Sequence, residues 1–414
     1  MSPYAPAAMP LARFLCVCVA VGVTLSGALP AQRGLNLLFY GNSYTIDNWT
    51  VTRIVDAIAN DANQPPPTIV PRLFGGTSLV YHRNDPAQVA AISTSLPAGQ
   101  HWDYVVMQGN SLEATVSQGD PAAFRAHALG ILQNVRAHSP AARAVLYQTW
   151  ARAPGHPLYP AAFPNPWAMH AEVRRNYELA ADDINQAFGP DTARVARVGD
   201  AVARLGFDPA YYNPDLSHPS QDVTLLAAMA IYTAIYGAPL CAMAPDFSGP
   251  GRLALHFSTY GFAPGSWLAM RGFADLIAAR SLRRFPGSDE DLLLRSGGAN
   301  ALDVCPLLTA LRGGTLRCQL TTPVGRYATA AGVVFLDRMP QGPQPGFPEL
   351  HFSPGAAVLL GSATTLGQGL TVTVPIPATM AMVSVFVQAA ALAPSANMTN
   401  AYFTTTDGHE VRLR

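Results

Sequence analysis

Two short stretches of the sequence hold residue types that together could run acyl transfer. Gly41-Asn42-Ser43 closes the apolar run Leu38-Phe39-Tyr40, and an amphipathic stretch begins a few residues later, so Ser43 is expected on a tight strand-to-helix turn. The free N–H groups and dipole at a helix start favour an anion, which suits a serine nucleophile. The same triplet also makes ordinary turns, and a serine there caps helices, so taken alone it leaves both roles open. Asp215-Leu216-Ser217-His218 stands just before the last helical stretch of the same half, with Pro219 at its expected first turn. A carboxylate three residues ahead of an imidazole on a loop can fold back onto one ring nitrogen, fix the tautomer and leave the other nitrogen for a serine. The bland alternative is that Asp215 and Ser217 cap the helix and His218 is a surface residue.

Two further stretches bear on the same chemistry. Phe74-Gly75-Gly76-Thr77 offers backbone N–H groups that an oxyanion could approach closely, or else a plain turn. Val106-Met107-Gln108-Gly109-Asn110-Ser111 runs from a buried strand into side chains with amide donors. For these stretches to act together, the elements before them must deliver all four to one rim. The apolar runs Leu35–Tyr40, Thr68–Phe74, Tyr104–Gln108, Ala144–Thr149 and Val195–Gly199 are the strand candidates, and stretches of helical period separate them. Val51, Ile54, Val55 and Ile58 recur at i, i+3, i+4 and i+7, as do Leu225, Leu226, Met229 and Ala230; Phe124–Val135 and Val173–Phe188 supply two more helices. Strands alternating with helices predict an α/β domain over residues 32–244 with a flavodoxin-like parallel five-stranded sheet, which binds ligands at the carboxyl edge of its strands. Ala151–Trp167, rich in proline and glycine, reads as a long loop.

Four blocks in this order resemble the SGNH (GDSL-like) hydrolase family over roughly residues 35–239. The matching residues are Gly41-Asn42-Ser43, Gly75-Gly76 and Asp215-x-x-His218. The third block departs from the usual Gly-x-Asn-Asp: Gln108-Gly109-Asn110-Ser111 is closer to the Gln-Gly-Glu-Ser of sialate O-acetylesterase-like relatives. Asn42 stands where the family name has Asp. The resemblance implies an ester hydrolase with Ser43 as nucleophile, His218 as general base and Asp215 orienting the ring. It also implies an oxyanion hole from the N–H groups of Ser43 and Gly76 with the amide of Gln108 or Asn110. His82 and Trp150 are expected as weak pocket-lining residues, with a locally bonded loop histidine and a core tryptophan as the alternatives. The substrate expected is a small ester or an acylated carbohydrate, most plainly an acetyl ester. The competing class is a non-catalytic cell-surface or carbohydrate-binding protein on the same scaffold.

Composition narrows the field. The chain has 414 residues, 26 basic and 26 acidic, so it lacks the basic field that holds a nucleic-acid backbone. Apolar residues make up 49% and charged ones 13%, enough for a sizeable core. Every one of the 26 cations is arginine, which excludes a Schiff-base lysine. The histidines and acidic residues show no ligand spacing, so no metal or other cofactor is expected. Arg13, the apolar run Phe14–Leu25 and the small residues Ser26, Gly27, Ala28 and Ala31 read as a signal peptide over residues 1–31, which predicts a secreted or periplasmic protein with no membrane span. Cys16 and Cys18 would leave with it. Of the remaining cysteines, Cys305 and Cys318 flank the turn Arg312-Gly313-Gly314 and are expected to pair as a hairpin clip, leaving Cys241 a buried thiol. From residue 251 to 414, alternating β-branched runs such as Leu370–Val374 and Val383–Val387 predict an all-β sandwich domain, and Gly287–Leu294 resembles sandwich modules appended to secreted bacterial proteins. Two carboxylates there, Asp289 and Asp291, suit a turn better than a calcium site.

Overall fold

The structure is a computed structural model that describes residues 33–414 apart from 48–49, 280–282, 284, 289–290, 299–300, 339, 341, 381–383, 396 and 399. The signal-peptide stretch with Cys16 and Cys18, and also Asp289, lie outside the described residues.

Five parallel strands form the first sheet: β1 (Asn36–Gly41), β2 (Thr68–Leu73), β3 (Tyr104–Met107), β4 (Arg143–Tyr147) and β5 (Ala193–Ala196), in the order β2-β1-β3-β4-β5. This is the flavodoxin-like order expected from the alternating pattern. Strands buried on both faces read as unbroken apolar runs, and β1 shows why. Its Leu37 and Phe39 enter one core, while Leu38 and Tyr40 enter the other. The first core holds Val51, Ile54, Val55 and Ile58 of Val51–Asp61 and the buried side chains of Gln221–Tyr236; the second holds the apolar faces of Pro121–His138 and Pro166–Phe188. One expected strand ends early. After Ala196 the chain turns into the helix Val198–Arg204, where a Cβ on Gly199 would lie 2.3 Å from the Thr149 carbonyl oxygen, so glycine lets helix and strand end approach.

The β region begins later than residue 251. Arg252–Tyr260 and Pro264–Leu276 are helices, because Leu253 and Phe257, and then Trp267, Met270, Phe273 and Ala274, recur at helical spacing and are buried. The second of these lies along Gln221–Tyr236 and the first against Val51–Asp61, so both extend the α/β layer. Strands resume at Leu293 and form two sheets. One runs Val358–Ala363, Gly332–Asp337, Ser384–Ala391, His409–Leu413, Leu307–Ala310, with Thr404–Thr405 beside Ser384–Ala391; the other runs Leu370–Pro375, Thr315–Thr321, Leu293–Gly298, Ala301–Asp303. Leu294, Leu316 and Leu320 of the second meet Val334, Val385, Val387 and Val411 of the first in one core, which makes the pair a sandwich. Residues 34–414 form a single compact unit.

The cysteine pairing differs from the expectation. Cys241 bonds Cys305, across 64 residues, and Cys318 is the buried free thiol. Leu307–Ala310 and Thr315–Thr321 belong to different sheets, so the turn between them is no hairpin. Cys318 points into the sandwich core, where burial pushes its thiol up to about 12. Among the described residues no helix is long and apolar enough to cross a membrane, and no group of three or more His, Cys, Asp or Glu gathers to hold a metal.

Candidate functional site

β1 ends at Gly41, and glycine is required there: a Cβ would sit 2.7 Å from Thr45 Oγ1 and 3.1 Å from Gln108 Oε1. The next residues wind into the single helical turn Ser43–Ile46. Its cap is Asn42, whose Oδ1 accepts from the Tyr44 N–H at 3.2 Å. Capping therefore does not consume Ser43, and its hydroxyl is bonded instead to His218 Nε2 at 2.9 Å, from a loop 175 residues away.

That loop is built to aim the ring. Leu216 takes a left-handed conformation, with φ of 58°, which turns the chain sharply between Asp215 and His218. Asp215 Oδ2 then meets His218 Nδ1 while Oδ1 accepts the N–H groups of Ser217 at 3.0 Å and His218 at 2.9 Å. Burial raises the Asp215 pKa, but these bonds outweigh it and hold the carboxyl below its usual range. The cap of the following helix is Ser220, so Pro219 precedes the cap and neither Asp215 nor Ser217 serves it. From outside, the loop is fixed by Ala153 N–H to Leu216 O at 3.0 Å, Trp150 Nε1 to Ser217 O at 3.2 Å and Tyr44 OH to Ser217 Oγ at 3.0 Å.

The glycine and amide blocks reach the same rim through Asn42, whose Nδ2 donates to Thr77 O at 2.8 Å and to Gly109 O at 3.4 Å. Gly76 has φ of 71° and open space where a Cβ would be. Among the described residues, the N–H groups of Ser43 and Gly76 have no protein acceptor. Gln108 is spoken for: it is 1% exposed, its Oε1 accepts from Asn42 N–H and Thr45 Oγ1 at 3.0 Å each, and its Nε2 donates to Asn42 Oδ1 and Gly109 O. A carboxamide has two donors and two acceptor sites, and all four are used within the fold. Asn110 differs. Its N–H donates to Glu113 Oε2 at 3.0 Å and its Oδ1 accepts from Leu112 N–H at 3.1 Å, while its Nδ2 has no protein partner among the described residues. Glu113 also accepts from Leu79 N–H at 3.2 and 3.1 Å, so it ties the third block to the helix after the glycines.

Neither expected pocket residue faces a pocket. Trp150 is 0% exposed and stacks on Tyr44 at 4.6 Å and 9°, which makes it a support under the Ser43 turn. His82 is 2% exposed beneath that turn, with Nε2 at 3.1 Å from Gly41 O; burial lowers its pKa to about 4, so the ring is neutral and its Nε2 donates. Residue spacing did not reveal three other groups. Asp47 closes the turn one helical step after Ser43, with Oδ2 4.0 Å from His218 Nε2, and the i, i+4 spacing to Ser43 was the available signal. Ser217 braces the loop through Tyr44. Arg152 is 8% exposed, donates to Ser111 Oγ at 2.7 Å and lies 5.6 Å from the Tyr44 ring centroid; burial lowers its pKa from the usual arginine range.

A hydroxyl bonded to an imidazole whose other nitrogen meets a carboxylate is the arrangement that turns a hydroxyl into a nucleophile. The α/β layer resembles the SGNH hydrolases. A candidate SGNH hydrolase from Slackia heliotrinireducens is 25% identical, with 49% of this chain matched to 99% of that one and a TM-score of 0.39. A DUF4886 family protein from Bacteroides uniformis is 17% identical, covering 56% of this chain and 96% of its own, with a TM-score of 0.38. A carbohydrate esterase family 3 structure from Talaromyces cellulolyticus is 12% identical over 49% of this chain and 97% of its own, with a TM-score of 0.35. Each of these matches covers about half of the chain. Neither a protein-family model nor a curated protein matches the sequence.

Proposed function

We propose that the chain is an exported serine esterase that removes short acyl groups, acetyl above all, from carbohydrate hydroxyls. The observation that carries the esterase reading is the unbroken series Asp215, His218, Ser43, in which one imidazole is bonded on both sides. Ser43 Oγ attacks the ester carbonyl as His218 Nε2 takes its proton; the tetrahedral intermediate collapses as the same nitrogen returns that proton to the leaving alcohol, leaving an acyl-serine. Water then repeats the sequence in reverse roles and frees the acid. The N–H groups of Ser43 and Gly76 are the oxyanion donors, and Asn110, not Gln108, supplies the side-chain amide, since only its Nδ2 is uncommitted among the described residues. Export is supported by the N-terminal apolar run and by the Cys241–Cys305 bond, which suits an oxidising compartment.

The test is labelling and turnover together. A fluorophosphonate probe is expected to modify Ser43, and Ser43→Ala, folded as judged by circular dichroism, is expected to lose hydrolysis of 4-nitrophenyl acetate. Equal hydrolysis by wild type and variant ends the assignment, and a wild-type protein that neither labels nor turns over favours a binding role.

A further inference from the structure

Asp47 stands one helical turn after Ser43, its N–H donating to Ser43 O at 2.8 Å. The imidazole of His218 thus faces two carboxylates. Asp215 is bonded to Nδ1, while Asp47 Oδ2 lies 4.0 Å from Nε2, the nitrogen that holds the serine hydroxyl. At that distance Asp47 makes no hydrogen bond to the ring. What it brings is charge, and with a side chain 33% exposed it brings that charge to the mouth of the site.

The position of a leaving group relative to this charge follows from geometry. The departing oxygen takes its proton from His218 Nε2 and must come within about 3 Å of it. It therefore lies at most about 7 Å from Asp47 Oδ2, by adding that reach to the 4.0 Å separation. A charged group within about four bonds of the oxygen, as on a meta-substituted phenyl ester, still sits inside the field of Asp47 at low ionic strength, where screening acts over about 30 Å. The other charges here do not cancel it. Arg152, buried against Ser111 and Tyr44, acts on Asp215 and not on Asp47, so it offsets the former and leaves the Asp47 charge in place, and the nearby His156, its pKa lowered by burial and by Arg152, is uncharged at pH 8.

The geometry points to Asp47 as a specificity-determining residue that disfavours anionic leaving alcohols and favours cationic ones, with uncharged ones between. The inference rests on the serine-esterase reading above. Burial and Asp215 raise the Asp47 pKa while His218 opposes them, so the effect is read at pH 8, where the carboxylate is charged.

Three esters of matched size test it: 3-(trimethylammonio)phenyl acetate, phenyl acetate and 3-carboxyphenyl acetate. The ratio of kcat/KM for the cationic over the anionic ester is expected to be about tenfold higher in the wild type than in Asp47→Asn, and to be largely kept in Asp47→Glu. In the wild type, raising salt to 1 M should pull the ratio toward that of Asp47→Asn, and this arm decides the matter should the variants not fold. A wild-type ratio that matches Asp47→Asn within twofold, or one that salt leaves unmoved, overturns the proposal while leaving the esterase reading intact. No wild-type turnover of any of the three esters overturns the esterase reading itself, and the proposal with it.

Discussion

Asn42 and Gln108 hold each other through two reciprocal hydrogen bonds: the Asn42 N–H donates to Gln108 Oε1 at 3.0 Å, and Gln108 Nε2 donates to Asn42 Oδ1 at 2.9 Å. This pair locks the Ser43 turn to the third block, 66 residues away. Gln108→Leu would leave the Asn42 N–H and the Thr45 hydroxyl buried without that partner, and each orphaned group costs about 1–3 kcal/mol. The variant is expected to lose about 2–4 kcal/mol of stability by urea denaturation along with much of its activity. Were Gln108 an oxyanion donor only, kcat would fall and the denaturation midpoint would stay in place, so the two measurements together decide its role.

Asp215→Asn probes the tautomer. The carboxylate accepts the Nδ1 proton of His218 and leaves Nε2 free to accept from Ser43. A carboxamide can present its NH2 to Nδ1 instead, which places the ring proton on Nε2 and removes the base from the serine. The expected outcome is a fall in kcat for 4-nitrophenyl acetate of about 10³–10⁴-fold at pH 8 with the fold unchanged. A fall of less than tenfold would show that the carboxylate does not set the ring.

The parallel sheet was legible because its inner strands β1 and β3 are buried on both faces, so Leu37–Tyr40 and Val105–Met107 could be read as apolar runs bounded by turns, while the edge strand Thr68–Leu73 is partly exposed. The proximity of Ser43, His218 and Asp215 could be anticipated because Asp215 and His218 are neighbours on one loop and Ser43 follows a glycine whose added Cβ would crowd Thr45 and Gln108. Side-chain commitments could not. Gln108 and Asn110 differ by two positions and share a chemistry, and only their surroundings decide that one amide is saturated and the other open. Trp150 and His82 lie close to the site in sequence blocks, yet the three-dimensional path of the chain puts them beneath it. The helices Arg252–Tyr260 and Pro264–Leu276 were hidden by the stronger β patterning downstream, and Cys305 found Cys241 because the turn at Arg312 crosses between sheets.

His82 carries a pH prediction. Its ring is buried, which lowers its pKa to about 4, with Gly41 O opposing that shift; an unfolded chain would hold the histidine near its usual value of about 6.5. Between those values the unfolded state binds more protons than the folded one, so stability is full above about pH 6.5 and is lost as pH falls toward 4. One such group accounts for about 2–3 kcal/mol over that window. His256 and His409 are also lowered to about 4 by burial and add to the same slope. Urea midpoints at pH 7.5, 5.5 and 4.5 should therefore fall in sequence for the wild type, and His82→Gln should show a shallower decline. Parallel declines would place the proton uptake elsewhere.

The Cys241–Cys305 bond joins the segment after helix Gln221–Tyr236 to the segment after strand Ala301–Asp303, closing a loop of 64 residues. Chain-entropy arguments give a crosslink of that span about 4 kcal/mol, exerted on the unfolded state. The double variant Cys241→Ala/Cys305→Ala is thus expected to melt at a clearly lower temperature. It should also keep wild-type kcat at 25 °C, since Ser43, His218 and Asp215 make no contact with either cysteine. Cys318→Val supplies the control: its thiol lies in the sandwich core, so mass spectrometry of a non-reducing digest should still find the 241–305 peptide pair. Loss of that pair in Cys318→Val, or a double variant with an unshifted melting temperature, would mean that the crosslink does not tie the β sheets to the α/β layer as the structure has it.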